Sequence, residues 1–419
     1  MINQYLSGVD CTCGKFHRCD VRFVAIEHGA ISHLTRLCDG FRKLLLVADE
    51  NTYNAAGAKV EAALQGIEYS KLIFDGSSVL IPNEIAVERM QQALTDHDLI
   101  IGIGSGVIQD LCKYVSFHRS LPYYIVATAP SMDGYTSTGA AMIMYGMKVT
   151  YACHVPAVIL ADTEILKDAP FDMIQAGYGD IVGKYSALND WKLSQAVNGE
   201  YFCQNIYDMT MDSLKRTLDV AEGLVRREED SVKILMEALI LVGIAMSFAG
   251  SSRPASGSEH HLSHFYEIVG IERKEPYFPH GVDVAFSTIL TAAVREEILK
   301  NPFPNHYFRQ SREEYEAEIK RVYGTSADGC IALQDKVGNY AAQRLPAYLE
   351  KEEEIRAILL EMPSAVEIEQ MLQTVRLDKS AFYDLYDAQK IADSISYAKD
   401  LKDRYTVLWL YYDLFGIQQ

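Results

Sequence analysis

The chain has 419 residues, about half of them apolar, with 39 Lys and Arg against 57 Asp and Glu and a formal net charge of -18. That length allows two or three domains at roughly 150 residues each, and the apolar share argues against disorder. A surface this acidic repels phosphate backbones and anionic lipid, which sets nucleic acid and membrane surfaces aside and demands local cations for any phosphorylated ligand.

No basic stretch followed by a long apolar core opens the chain, so a cytoplasmic location is expected. The eight Cys are scattered and read as free thiols in a reducing compartment. Cys11, Cys13, His17 and Cys19 have the composition of a zinc knuckle. Their spacing forms no paired C-x-x-C and no second pair lies nearby, so an irregular turn or hairpin is expected there. Residues 43–48 (KLLLVA) read as a buried strand and 55–64 as a helix. The pattern continues with strand 69–74, helix 83–94, strand 98–102, a Gly-rich turn, a helix from 107 to about 117, and strand 122–127. Continuous apolar runs separated by helices predict a parallel sheet covered on both faces. Residues 148–152 and 157–161 are expected to be a further pair of strands closing this half. After Pro170 helical periodicity takes over, and the charged segment at 351–355 reads as helical surface. The longest apolar stretch, 238–249, is expected to be a buried helix too short to span a bilayer. The fold class is therefore an α/β Rossmann-like parallel-sheet domain, residues 1–165, followed by an all-α domain, residues 166–419. A cleft between the two is the default place for a small ligand.

The turn Gly102-Ile103-Gly104-Ser105-Gly106 lies between a strand and a helix. Glycines let backbone approach a ligand, and a helix start offers free N–H groups to a pyrophosphate. The third glycine of G-x-G-x-x-G is missing, so a tight structural turn explains the segment equally well. Asp49 ends the strand KLLLVAD, where an acidic side chain can bond ribose hydroxyls and repel a 2′-phosphate. A helix N-cap is its plainer role. In AGYGDIVGKYSALNDWKLS, Asp180 and Lys184 lie one helical turn apart. In GSSRPASGSEHHLSHFYE, His260 and His264 are spaced i, i+4, and His280 opens HGVDVA. A lone His is more often a surface or core residue. Here four of the eleven His fall between positions 260 and 280. An Asp/His/His set with one open position is what a catalytic divalent metal requires.

The segments GIGSGVIQD, TAPSMDGYTSTGAA, AGYGDIVGKYSALNDWKLS, GSSRPASGSEHHLSH and PHGVDVA resemble the iron-containing alcohol dehydrogenase, glycerol dehydrogenase and dehydroquinate synthase superfamily. Within it, the likeness is closest to bacterial glycerol-1-phosphate dehydrogenases of the AraM type. The resemblance implies Asp180, His260 and His280 as ligands of one divalent metal, Ni2+ or Zn2+, and His264 facing nicotinamide or substrate as part of a proton relay. It implies NAD contacts from Asp49, Gly104, Ser105, Gly106, Asp110, Thr128, Ser131, Ser137 and Thr138, with Asp133 touching substrate or the catalytic water. His261, about 100° around the helix from His260, reads as a supporting or structural residue. Some relatives that oxidise simple alcohols carry a ligand His where this chain has Lys184. A cation there suits a phosphate-bearing substrate, and Arg253 is the second candidate cation. The implied activity is reversible NAD(H)-dependent reduction of dihydroxyacetone phosphate to sn-glycerol 1-phosphate, a step toward phospholipid, in a cytoplasmic homo-oligomer, most simply a dimer. Glycerol dehydrogenase, a dehydroquinate-synthase-like lyase and a non-catalytic nucleotide- and metal-binding protein are the alternatives. HGVDVA lacks the Glu that follows His-Gly in many of the lyases, and all three expected metal ligands are present.

Overall fold

Every apolar run expected as a strand between residues 43 and 127 is one in the computed structural model, which describes residues 2–144 and 147–417. The strands are β1 (Val9–Asp10), β2 (Phe16–His17), β3 (Phe23–Glu27), β4 (Lys43–Asp49), β5 (Glu68–Phe74), β6 (Leu99–Gly104), β7 (Tyr123–Ala127), β8 (Gly139–Met144), β9 (Met147–Ala152) and β10 (Val158–Asp162). Six of them form one sheet in the order β3-β10-β7-β6-β4-β5, with each pairing parallel. Helices α1 (Glu50–Ala63), α2 (Glu84–Ala93) and α3 (Gly106–His118) connect its central strands. Neighbouring residues of β4 enter opposite core layers: Leu44, Leu46 and Ala48 join one, Leu45 and Val47 the other. Both faces are buried, so no polar alternation is needed, and the strand reads as an unbroken apolar run. From β4 the chain steps to β5 on one side, then crosses to β6 on the other. That reversal puts a topological switch point between β4 and β6, where open parallel sheets bind ligands.

Residues 148–152 and 157–161 are not a pair of strands. The first segment lies in β9, which pairs antiparallel with β8 in a separate two-stranded ribbon. The second lies largely in β10, inside the main sheet between β3 and β7. Burial explains the split. β8 buries alternate residues, as a one-sided ribbon does, whereas β10 is buried throughout, as a central strand must be. Strand β3 adds an edge that the sequence did not announce. The segment around Cys11 and Cys13 is the hairpin β1–β2.

By packing, the chain divides into two units. One comprises residues up to Tyr178 together with Asp212–Ser251; the other comprises Gly179–Met211 and the residues from Ser252 onward. All strands fall in the first, and the second is helical among the described residues. The helices used below are α4 (Phe171–Val182), α5 (Lys184–Asn198), α6 (Glu229–Ala249), α7 (Ser258–Arg273) and α8 (His280–Lys300). Residues 238–249 end α6, which at 21 residues is long and apolar enough to cross a membrane by length and composition alone. That is longer than the stretch suggested, but 67% of its apolar window is buried within the protein, as expected of a core helix. The loop after β7 packs against α6. Thr136 Oγ1 donates to the Ile240 carbonyl at 2.9 Å, and Ser247 Oγ to the Thr136 carbonyl at 3.1 Å. Gly243 makes this possible, because a Cβ there would lie 1.9 Å from Thr136 Oγ1.

Candidate functional site

In the second unit, small residues bring α4–α5 against α8. A Cβ on Gly179 would meet the Gly281 carbonyl at 2.6 Å, and one on Gly183 would meet Val284 at 2.6 Å. Gly183 separates the two helices while keeping right-handed helical backbone angles, so Asp180 in the last turn of α4 and Lys184 at the first position of α5 remain an i, i+4 pair. A buried polar anchor sets α7. Asp190 of α5 accepts the Ser258 N–H at 2.6 Å through Oδ2, and its Oδ1 pairs with Arg295 Nη2 of α8 at 2.7 Å. Those contacts fix the start of α7 two residues before His260.

The result is a convergence of donors. Asp180, His260 and His280 each place a ligand atom within 4.8 Å of the others. His260 Nε2 is 3.5 Å from Asp180 Oδ1, and its Nδ1 meets Glu259 Oε1 at 2.7 Å. With Nδ1–H donated to a carboxylate, the lone pair lies on Nε2, the arrangement by which carboxylates orient metal-binding imidazoles. Ser263 Oγ lies 3.2 Å from His280 Nδ1. Burial pushes the Asp180 carboxyl upward, but Lys184 and the imidazoles of His260 and His280 outweigh it and hold the group below its ordinary range. Two imidazoles and a carboxylate, buried and convergent, are an apt donor set for a borderline divalent cation.

The remaining candidates of this unit fall around that set. His264 stands with its ring centre 5.5 Å from that of His280 and 6.3 Å from that of His260. Lys184, fully buried, donates to Asp180 Oδ1 at 2.8 Å and to the Ala255 carbonyl at 2.9 Å. Arg253 is directed elsewhere: Nε bonds Glu200 at 2.7 Å, Nη1 the Tyr405 carbonyl at 2.7 Å, and Nη2 Ser194 at 3.2 Å. The ring of His261 is buried, and neither of its nitrogens has a hydrogen-bond partner among the described residues. Burial, reinforced by Arg404, Lys402 and Arg253, pushes it well below the ordinary imidazole range and keeps it neutral.

The first unit gathers the other candidates at the carboxyl ends of β4, β6 and β7. Asp49 caps α1, its Oδ1 accepting the Thr52 N–H at 2.8 Å while Thr52 Oγ1 accepts the Asp49 N–H. Gly104 ends β6, Ser105 precedes α3, and Gly106 begins it. A Cβ on Gly104 would press on Ile108 at 2.7 Å, so this glycine serves helix–strand packing. At Gly106 the nearest atom would be 3.8 Å away, which leaves room beside the helix start. Thr128 N–H bonds the Gly104 carbonyl at 3.1 Å, tying the loop after β7 to this turn. That loop carries Ser131, half-buried, and Asp133, buried. Thr138 receives the Cys153 N–H at its carbonyl. Asp110 and Ser137 meet at Lys113, 3.4 Å and 3.5 Å from its Nζ. Lys113, buried and also bonded to the Gly139 carbonyl at 2.7 Å, did not emerge from the sequence, where one Lys in a helix has no distinguishing signal.

Glu259 was also missed. Its Oε1 holds both His260 and the Gly257 N–H. Glu259→Gln should keep an acceptor for Nδ1–H but weaken its pull, lowering divalent-metal affinity by about tenfold, the low end for groups that orient a ligand. Isothermal titration of chelator-stripped protein with Zn2+ measures this; unchanged affinity would leave Glu259 a purely structural residue.

The family model for iron-containing alcohol dehydrogenases matches residues 25–170. The chain is 34% identical to the NAD(P)+ glycerol-1-phosphate dehydrogenase of Halalkalibacterium halodurans, across 68% of this chain and 73% of that one. It is 31% identical to the protein of the same name from Thermoplasma acidophilum, across 66% and 78%. Among solved structures, the iron-containing alcohol dehydrogenase of Thermococcus thioreducens shares the fold with a TM-score of 0.61, at 15% identity, over 94% of this chain and 98% of that one.

Proposed function

Given that the chain belongs to the glycerol-1-phosphate dehydrogenases of the iron-containing alcohol dehydrogenase superfamily, we propose a reading of how its residues serve that activity. The enzyme reduces dihydroxyacetone phosphate to glycerol 1-phosphate with a nicotinamide cofactor and a divalent metal. We assign metal and substrate to the helical residues 166–419 and the cofactor to residues 1–165. The observation that carries the assignment is the buried convergence of Asp180, His260 and His280 beside the ammonium of Lys184.

Bound there, a divalent cation supplies Lewis-acid polarisation of the substrate carbonyl. The chain's own part is to hold and orient. Glu259 fixes the His260 ring, and Ser263 contacts His280. Lys184 offers positive charge to the substrate phosphate in a molecule whose overall field repels anions. His264, beside His280, relays the proton that the product hydroxyl requires. Asp133, on the loop after β7, touches substrate or the catalytic water; Ser131, Ser137 and Thr138 on the same loop, with Gly104, Ser105, Gly106, Asp110 and Thr128 at or near the ends of β6 and β7, meet the cofactor. Arg253 contributes to substrate only on release from Glu200. The donor set suits zinc and nickel alike. A cytoplasmic homodimer supplying lipid synthesis completes the reading.

The test is a substrate panel of dihydroxyacetone phosphate, dihydroxyacetone and glycerol, with chiral resolution of the product. A preference for the unphosphorylated compounds, or the mirror-image product, overturns it. The panel run with both cofactors also tests Asp49. Its charge at the end of β4 should make NADH more efficient than NADPH by repelling the 2′-phosphate. Asp49→Asn retains a good helix cap and should raise the NADPH:NADH efficiency ratio several-fold without loss of thermal stability. Equal efficiencies in the unaltered enzyme remove Asp49 from this role.

A further inference from the structure

The hairpin β1–β2 brings together groups that the dehydrogenase reading leaves unused. Cys11, Cys13 and His17 each offer a donor atom within 4.8 Å of the others. The turn between them is tight: the Gly14 N–H bonds the Cys11 carbonyl at 3.0 Å, the Cys11 N–H bonds the Lys15 carbonyl at 3.2 Å, and Gly14 takes φ +84°. That is a turn followed by a left-handed residue, a conformation glycine adopts without penalty. It places Cys11 and Cys13 on the turn and aims both toward His17 on β2. Cys13 Sγ lies 3.3 Å from His17 Nε2.

His17 is itself held in place. It is 3% exposed, its ring stacks on Phe248 of α6 with centres 5.3 Å apart, and its Nδ1 lies 3.0 Å from the Phe248 carbonyl. A carbonyl can only accept, so Nδ1 carries the proton and Nε2 presents its lone pair to the thiols. Metal-binding imidazoles are commonly oriented through their other nitrogen in this way. An edge hairpin of two-residue strands has little apolar surface with which to fix such a geometry.

We propose that Cys11, Cys13 and His17 bind a thiophilic divalent cation, zinc or one like it, as a structural site separate from the Asp180, His260 and His280 set. Binding displaces the two thiol protons to solvent and leaves two thiolates and a neutral imidazole on the cation; the protein's redox state does not change. The cation braces the hairpin turn against His17, which Phe248 of α6 holds, and α6 in turn carries the loop containing Thr136. A tetrahedral shell takes one further donor, from solvent or another side chain.

The spectroscopy of Co2+ separates this site from the catalytic one, because Asp180, His260 and His280 include no thiolate. Full-length protein, stripped and reduced, is titrated with Co2+. A sulfur-to-cobalt charge-transfer band should grow in, and it should vanish in the Cys11→Ser/Cys13→Ser variant. Metal analysis of zinc-loaded protein should show that variant carrying one equivalent fewer than the unaltered chain, with turnover retained. His260→Ala should lose the other equivalent and keep the band. Absence of the band in the unaltered chain, which needs no variant to fold, overturns the site, as does a band that survives the double substitution.

Discussion

His280→Ala should abolish turnover while the protein keeps its fold. The Lewis-acid contribution at stake is several kcal/mol, and about 4 kcal/mol corresponds to roughly a thousandfold in rate. Of the three convergent side chains, His280 gives the cleanest test. It is half-buried at the first position of α8, and the hydroxyl of Ser263 lies within hydrogen-bond distance of both its Nδ1 and its backbone carbonyl. Without it, Asp180 keeps the ammonium of Lys184 at 2.8 Å. His260→Ala differs, because Glu259 would lose its imidazole partner while remaining buried, and keep the Gly257 N–H. An uncompensated buried polar group adds a stability loss of about 1–3 kcal/mol or more, so loss of activity there would mix two causes. The measurement is kcat together with bound metal and far-ultraviolet circular dichroism. Near-native activity of His280→Ala after chelator treatment would remove it from the ligand set.

Much of the sheet was legible because burial on both faces leaves a simple mark. Residues 44–48, 99–102 and 123–127 carry no charged side chain, and each lies in a central strand. Strand β3 carries a weaker mark. It has five residues, ends on an exposed Glu27, and pairs only with β10. The pair assigned to 148–152 and 157–161 failed because adjacency in sequence says nothing of sheet membership. Only the burial of β10 on both sides, a tertiary fact, separates it from the ribbon β8–β9.

At the site, the side chains that converge were visible by type and spacing, and those that support them were not. Residues adjacent in a helix point in different directions, so a Glu beside a His is not normally read as its partner. Glu259 escapes that rule at the first turn of α7, where it reaches both the Gly257 N–H and the His260 ring. Arg253 was a candidate phosphate contact by its charge, and its pairing with Glu200, 53 residues away in sequence, leaves no local signal. The one-turn spacing of Asp180 and Lys184 holds in the structure, where they pair at 2.8 Å; the close approach of Gly183 to Val284 is one that no local pattern encodes.

Lys184→Met should reduce efficiency with dihydroxyacetone phosphate far more than with dihydroxyacetone. Methionine is chosen because Lys184 is fully buried, and an alanine would add a cavity to the loss of charge. Its ammonium is bonded to Asp180 and to the Ala255 carbonyl. A cation shared with Asp180 lowers the negative charge that a phosphate would otherwise meet beside a carboxylate. A charge-assisted contact contributes roughly 1.5–3 kcal/mol, or about ten- to a hundredfold. The substitution also removes a hydrogen bond from Asp180, which can weaken metal binding, and that effect falls on both substrates equally. The ratio of the two kcat/KM values therefore isolates the phosphate term. A ratio that falls by tenfold or more assigns the phosphate to Lys184. If both efficiencies fall together and the ratio holds, Lys184 serves Asp180 alone, and the phosphate is bound by another group.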